Sequence, residues 1–133
     1  MFDRLLRKLL YRFDPGKRIS LLRSSDDPGL AAYLIAIKAE ASTHMDEDGR
    51  IYIKILDIIP PSKGTLLEEF AHALQYIKNG NVPLSYHDHE RRERELEVAK
   101  CLEDRADRLK LSQEDRYHIS RAIDHYGDED ARR

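Results

Sequence analysis

The sequence predicts an α+β fold, with a small antiparallel sheet or hairpin followed by three helices and an amphipathic helix at the N-terminus. Two observations carry this prediction: isoleucines alternate at strand period over 51–55, and three later segments repeat apolar residues at helical spacing. A length of 133 residues suits one domain with one core. We expect a basic helix over 1–14, a single domain over 17–126 and a disordered tail over 127–133.

The first thirteen residues have the pattern of an amphipathic basic helix. Leucines and phenylalanines recur on one side, and arginines and a lysine occupy the other. Asp14-Pro15-Gly16 should end this helix, because proline restricts the backbone and glycine permits a turn. Two roles stay open for the helix: packing on the domain or on a second copy of the chain, and attachment to an anionic membrane or a partner.

The next segments predict a strand, a loop and an ambiguous stretch. Residues 19–23 are apolar and favour a strand, and 24–29 are rich in Ser, Asp, Pro and Gly and favour a loop. Over 30–43 the alanines favour a helix, whereas the alternation of apolar residues from Tyr33 to Ile37 favours a strand. We interpret the later part of this stretch as a strand.

That interpretation rests on the segment that follows. Residues 46–49 have the sequence Asp-Glu-Asp-Gly, which is typical of a turn, and 50–57 alternate Ile51, Ile53 and Ile55 with other side chains. A strand on each side of such a turn makes an antiparallel hairpin.

Three helices are predicted after the hairpin. The first covers 65–78 and ends at Asn79-Gly80-Asn81, and a loop with Pro83 follows it. The second is highly charged and covers about 88–110. The third begins at a capping sequence from Ser112 and has an apolar stripe of Ile119, Ala122, Ile123 and Tyr126.

Composition excludes several classes of protein. The 23 basic and 25 acidic residues leave a net charge of −2, which argues against a dedicated nucleic-acid binder. A single cysteine, Cys101, cannot form an internal disulfide or a cysteine-rich zinc site, so metal chemistry must rest on His, Asp and Glu. No apolar run is long enough for a transmembrane helix, and the N-terminus lacks the features of a secretory signal. The sequence therefore predicts a cytoplasmic location.

The helix over 65–78 carries the candidate chemistry. Glu68, His72 and Gln75 form a line on its polar side, with Glu69 and Tyr76 along the edge. The i to i+4 spacing places the Glu68 carboxylate and the His72 imidazole one turn apart on the same side. Two such ligands on one rigid helix are preorganised for a metal ion.

The sequence from Leu66 to Gln75 resembles the active-site helix of zincin metallopeptidases, whose signature is H-E-x-x-H. Glu68 replaces the first histidine of that signature, Glu69 matches its general base and His72 matches its second histidine. The stretches 93–97 and 106–114 are similar to the zincin-like metallopeptidase domains at the tips of bacterial polymorphic toxins. The resemblance covers about residues 30–126. It is to the gluzincin type of metallopeptidase, in which a glutamate from a following helix is the third metal ligand.

Glu95 is the candidate third ligand, because it extends the apolar face that Val98 and Leu102 define on the second helix. The alternative is that this face begins at Val98 and that Glu95 lies at an exposed end. The resemblance implies a metal-dependent hydrolase that cleaves peptide bonds, with the ion held by Glu68, His72 and Glu95 and with Glu69 as general base. Zinc is the expected ion, and an oxygen-rich ligand set also suits manganese or iron.

The same resemblance implies a protein or peptide substrate and an immunity protein as partner, with delivery into another cell if the chain is a toxin. A second hypothesis is a non-catalytic zincin-like interaction module that has lost the metal site, in which Glu68 marks lost activity and the N-terminal helix is the contact surface. The sequence His87-Asp88-His89-Glu90 favours a solvated helix start, and His89 is a possible supplementary ligand, as are Gln75 and Tyr76.

Other constellations are weaker. A di-iron site needs a second Glu-x-x-His element, and the nearest one, at 115–118, is imperfect. Cys101 has no histidine partner that would make it a nucleophile. We interpret His44, His118 and His125 as ordinary surface residues.

Overall fold

The computed structural model describes residues 2–58, 61–78 and 88–127. Within these ranges the chain forms five α-helices and three strands, which confirms the α+β class and the three helices after the hairpin. A short 3-10 helix spans Ser24–Asp26. The elements in chain order are α1 Phe2–Phe13, β1 Ile19–Arg23, α2 Pro28–Ala36, β2 Ala41–Met45, β3 Ile51–Ile55, α3 Lys63–Lys78, α4 Asp88–Asp104 and α5 Gln113–Gly127.

The chain divides into two compact units, residues 1–83 and 84–133. The expected extent of a single domain over 17–126 stays a prediction. Gly127 belongs to α5, and the remainder of the expected tail lies outside the described residues, as do the helix end at 79–81 and the loop with Pro83. Among the described residues, no helix combines the length and the apolar character of a transmembrane span.

The sheet of the first unit has the order β1-β3-β2. Strands β2 and β3 pair antiparallel, with Ala41 opposite Ile55, which confirms the predicted hairpin. The small antiparallel sheet that the sequence predicts is thus present as this hairpin, and the third strand makes the sheet mixed, because β1 pairs parallel to β3, with Ile19 opposite Ile51. A parallel pair needs a crossover connection, and α2 and β2 provide it here.

Helix α2 replaces the strand-like alternation predicted from Tyr33 to Ile37. The reason lies at its start, where the Asp27 carboxylate accepts hydrogen bonds from the amides of Gly29 at 2.9 Å and Leu30 at 3.4 Å. Pro28 occupies the first turn, where its missing N–H costs nothing. The cap, the proline and the alanines together favour a helix over 28–36, so the loop predicted over 24–29 is only partly correct.

The core of the first unit lies between the sheet and helices α1 and α3. Ile51, Ile53 and Ile55 are buried along β3, and α3 packs against β2 and β3. Leu6 of α1 is fully buried, and α1 packs against α3. Packing on its own domain, one of the roles predicted for α1, is thus confirmed by its contacts with α3.

Helices α4 and α5 pack against each other in the second unit. Helix α4 ends at Asp104 and not at Lys110 as predicted, because the amides of Arg105 and Ala106 bond to carbonyls three residues back. Helix α5 begins as predicted, with the Ser112 hydroxyl accepting a hydrogen bond from the amide of Asp115 at 3.0 Å. Its predicted apolar stripe is at least half-buried.

A candidate metal centre

The polar residues predicted to form a line on α3 differ in how deeply they are buried. The start of α3 is capped by Ser62, whose hydroxyl accepts a hydrogen bond from the Thr65 amide at 3.1 Å. Glu68 is exposed, and Glu69 and His72 are half-buried. Gln75 is buried, with 9% of its surface exposed, although its amide is polar. A buried amide needs hydrogen-bond partners.

His72 is one hydrogen-bond partner of the Gln75 amide. The Nδ1 atom of His72 lies 2.9 Å from Oε1 of Gln75. An amide oxygen only accepts, so Nδ1 is the donor of this bond, and in the neutral imidazole Nε2 is then the unprotonated nitrogen. An unprotonated ring nitrogen is the form that binds a metal, and a hydrogen bond on the other nitrogen is the usual way to orient such a ligand. Gln75, which we expected as a supplementary ligand, therefore holds the imidazole.

Glu68 and His72 lie one turn apart on α3, and each offers one ligand atom; these two atoms lie within 4.8 Å of each other. Such a pair could supply two ligands of a metal ion. Glu95, the expected third ligand, is half-buried on α4 in the other unit. Two carboxylates and one neutral imidazole would balance the charge of a divalent ion. One nitrogen and two oxygen donors suit zinc, and oxygen donors also suit manganese and iron.

Glu69, the expected general base, is bonded to a strand residue. The hydroxyl of Thr43 on β2 lies 2.5 Å from Oε2 of Glu69 and 3.1 Å from the Glu69 carbonyl oxygen. The hydroxyl carries one proton, which it donates to the nearer acceptor, the side-chain oxygen. The sequence analysis missed Thr43. A signal was available, because Thr43 is paired with the buried Ile53 in the hairpin, and a polar residue at such a position needs a partner.

The remaining candidates take other positions. Tyr76 is buried on α3. His89 is exposed on α4, and its Nε2 lies 3.0 Å from a carboxylate oxygen of Glu93 one turn away on the same helix. His87 and the side chain of Asp88 lie outside the described residues. Cys101 is half-buried, with Nη1 of Arg105 at 3.1 Å from its sulfur.

The histidines that we interpreted as surface residues divide into two kinds. His118 and His125 are exposed on α5, as predicted. His44 is half-buried on β2, and its ring stacks on Tyr52 with the centroids 5.5 Å apart. Burial lowers the pKa of His44, the nearby Lys54 lowers it further, and Asp46 acts in the opposite direction. His44 is therefore less exposed than the other two histidines.

Comparison of the chain with family models, curated proteins and solved structures gives no match.

Proposed function

We propose that this protein is a metal-dependent hydrolase of the zincin type that cleaves peptide bonds. The observation that carries the proposal is the pair of ligand atoms that Glu68 and His72 offer within 4.8 Å of each other on α3. Both residues stand on the helix whose sequence resembles the zincin active-site helix. These two residues, with Glu95 as the third ligand that the resemblance implies, would hold the ion. Zinc is the proposed ion, with manganese or iron as alternatives.

A divalent ion in this position would polarise the scissile carbonyl and acidify a water molecule. Glu69 is the proposed general base, which takes the proton from the attacking water and then gives it to the leaving amine. Thr43 holds the Glu69 carboxylate towards β2, so the base is oriented by the sheet. Gln75 holds His72 in the tautomer that a metal ligand needs.

The ligand charges predict a modest catalyst. The usual set of two histidines and one glutamate leaves one positive charge on a divalent site, whereas Glu68 and Glu95 together neutralise it. A neutral site withdraws less electron density from a carbonyl, so we expect weaker Lewis acidity than in an H-E-x-x-H enzyme. We therefore expect this hydrolase to cleave peptide bonds slowly.

The second candidate function is a zincin-like interaction module without catalysis. The observation that favours it is the replacement of the first signature histidine by Glu68, an exposed carboxylate. A toxin or effector setting, with an immunity protein as partner and entry into another cell, is proposed on the sequence resemblance alone. The same holds for self-association through α1.

The variant Glu69→Gln tests the hydrolase proposal. The purified full chain, loaded with zinc, is assayed on fluorescently labelled casein, and its bound zinc is measured by elemental analysis. We expect Glu69→Gln to abolish hydrolysis and to retain the metal, because the amide cannot accept the proton and Glu69 is not a proposed ligand. The matched control is Glu103→Gln, an exposed site on α4, which should retain both. Hydrolysis that survives in Glu69→Gln would remove the assigned base, and a zinc-loaded wild type without hydrolysis would contradict the hydrolase. A stably folded wild type that binds no metal would favour the interaction module.

A further inference from the structure

A cavity of about 680 Å³ lies in the first unit, between the C-terminal end of α1 and the beginning of β1. Its apolar lining comes from Leu10, Pro15 and Ile19. The hydroxyl-bearing residues Tyr11 and Ser20 also line it. A cavity of this size with mostly apolar walls and a few polar groups has the character of a small-molecule site.

Two cationic side chains, Lys17 and Arg50, line the same cavity. Both are exposed, and neither forms an ion pair with a described residue. Asp14 is the one acidic residue among the described residues of the lining. Its two carboxylate oxygens accept hydrogen bonds from the amides of Arg18 at 2.9 Å and Ile19 at 2.8 Å. The Asp14 carboxylate is therefore bonded to the backbone of the turn, and Lys17 and Arg50 are available to bind a ligand.

Helix α1 adds positive charge beside the cavity. Arg7 and Lys8 are exposed and lie one helical turn before Leu10, Tyr11 and Arg12. The apolar side of α1 is already used, because Leu6 is fully buried. The exposed side of the helix thus serves as a cationic border that attracts anions towards the cavity.

The backbone at Lys17 is in the left-handed region, with φ of 54°. Glycine or asparagine adopts this conformation without the strain of about 1–2 kcal/mol that other residues bear. The turn fixes the position, because the Lys17 amide donates to the Asp14 carbonyl at 3.1 Å. A lysine therefore stands at the cavity where the backbone itself favours glycine.

We propose that this cavity binds an amphipathic anion. Its carboxylate or phosphate group lies between Lys17 and Arg50, and its apolar part lies on Leu10, Pro15 and Ile19. The site shares no residue with the proposed metal centre, so either proposal can fail alone.

Calorimetric titration of the full chain with four probes tests the chemistry: octanoate, octyl phosphate, octanol and inorganic phosphate. We expect octanoate and octyl phosphate to bind at least about tenfold more tightly than octanol or inorganic phosphate, because only they offer both a charge and an apolar chain. Equal binding of octanol would remove the role of the cations. Equal binding of inorganic phosphate would remove the role of the apolar wall, and no binding of either amphiphile would overturn the proposal.

Two lysines with the same backbone conformation give a matched pair of variants. Lys38 has φ of 56° and does not line the cavity. Lys17→Asn and Lys38→Asn remove the same charge and both suit a left-handed backbone, so neither should lower the midpoint of urea unfolding. We expect Lys17→Asn to weaken octyl phosphate binding about tenfold and Lys38→Asn to leave it unchanged. Arg50→Gln should weaken it similarly, and equal effects at positions 17 and 38 would contradict the assigned site.

The anion could come from a membrane or from solution, and sedimentation with vesicles distinguishes these sources. Vesicles of phosphatidylcholine are compared with vesicles that also contain phosphatidylglycerol. Binding to the anionic vesicles that is lost in Lys17→Asn and kept in Lys38→Asn assigns a lipid head group. Binding of octyl phosphate without vesicle binding assigns a soluble amphiphile.

Discussion

The hydroxyl of Thr43 on β2 lies 2.5 Å from Oε2 of Glu69 on α3. This bond connects the proposed general base to a strand of the sheet and not to its own helix. Strand β2 is held by its antiparallel pairing with β3, whose isoleucines are buried. The orientation of the Glu69 carboxylate therefore depends on the hairpin as well as on the periodicity of α3.

The variant Thr43→Val tests this relationship. Valine keeps the shape of threonine but donates no hydrogen bond, so we expect the free energy of unfolding to fall by about 1 kcal/mol. Thr43→Ser keeps the hydroxyl and should retain most of the bond. Urea unfolding measures both variants, and a larger loss in Thr43→Ser than in Thr43→Val would show that packing outweighs the hydrogen bond.

Gln75 should influence metal affinity without being a ligand. The variant Gln75→Met fills a similar volume but cannot accept the proton of His72 Nδ1, so the imidazole loses its fixed tautomer. We expect metal affinity to fall by about 10–100-fold. Gln113→Met, at an exposed position on α5, is the control. Competition titration with a zinc chelator measures the affinity, and equal affinities of the two variants would contradict the orienting role.

The Asp57 carboxylate should make the free energy of unfolding depend on pH. Its carboxylate accepts hydrogen bonds from the Ser24 hydroxyl at 2.6 Å and from the Ser25 hydroxyl at 2.7 Å. These side-chain bonds, that of Ser24 first, lower the pKa of Asp57 from its ordinary value of 3.8. The unfolded chain therefore binds the proton more readily, so this contribution is present above about pH 4 and is lost as the pH falls through the folded-state pKa.

The measurement is the urea midpoint between pH 7 and pH 3, compared in wild type and Asp57→Asn. We expect the variant to be less stable at pH 7 and to lose less stability on acidification, because asparagine does not titrate. Asp26→Asn removes an exposed acid nearby and should keep the wild-type slope. Parallel pH profiles of wild type and Asp57→Asn would rule out this assignment.

The two charged neighbours of His44 should shift its pKa in opposite directions. Burial and then Lys54 lower the pKa of His44 below 6.5, and Asp46 raises it. We expect Lys54→Gln to raise the His44 pKa and Asp46→Asn to lower it, as followed by NMR titration of the imidazole. Because the pKa of His44 is lower in the folded chain than in the unfolded chain, the unfolded chain binds the proton more readily. The contribution of neutral His44 to the free energy of unfolding is therefore full above pH 6.5 and falls as the pH drops towards the folded-state pKa. Shifts of the same sign in both variants would contradict the assigned charges.

Sequence patterns predicted the elements whose signals are local. Helix α1 and the β2–β3 hairpin follow from periodicity and a turn, and the spacing of Glu68 and His72 follows from the geometry of α3. Helix α2 was predicted only in part. Its start depends on two residues, the Asp27 cap and Pro28, whereas the alternation of apolar side chains after them favoured a strand. The parallel pairing of β1 with β3 depends on contacts across the chain that no local pattern records.

The candidate site divides in the same way. Three candidate ligands, Glu68, His72 and Glu95, could be chosen from helical wheels. The side chains that orient the site could not, since Thr43 comes from a distant strand. Gln75 was noted as a candidate ligand, and only the 2.9 Å contact with Nδ1 shows its bond to His72.

Titration of the metal-free full chain with Zn²⁺ is the most direct test of the proposed centre. We expect the wild type to bind one equivalent and His72→Ala to bind at least about a hundredfold more weakly. The exposed His118→Ala should bind as the wild type does. Equal affinities for the two histidine variants, or no stoichiometric binding of Zn²⁺, Mn²⁺ or Fe²⁺ by the wild type, would contradict a metal centre built on Glu68, His72 and Glu95.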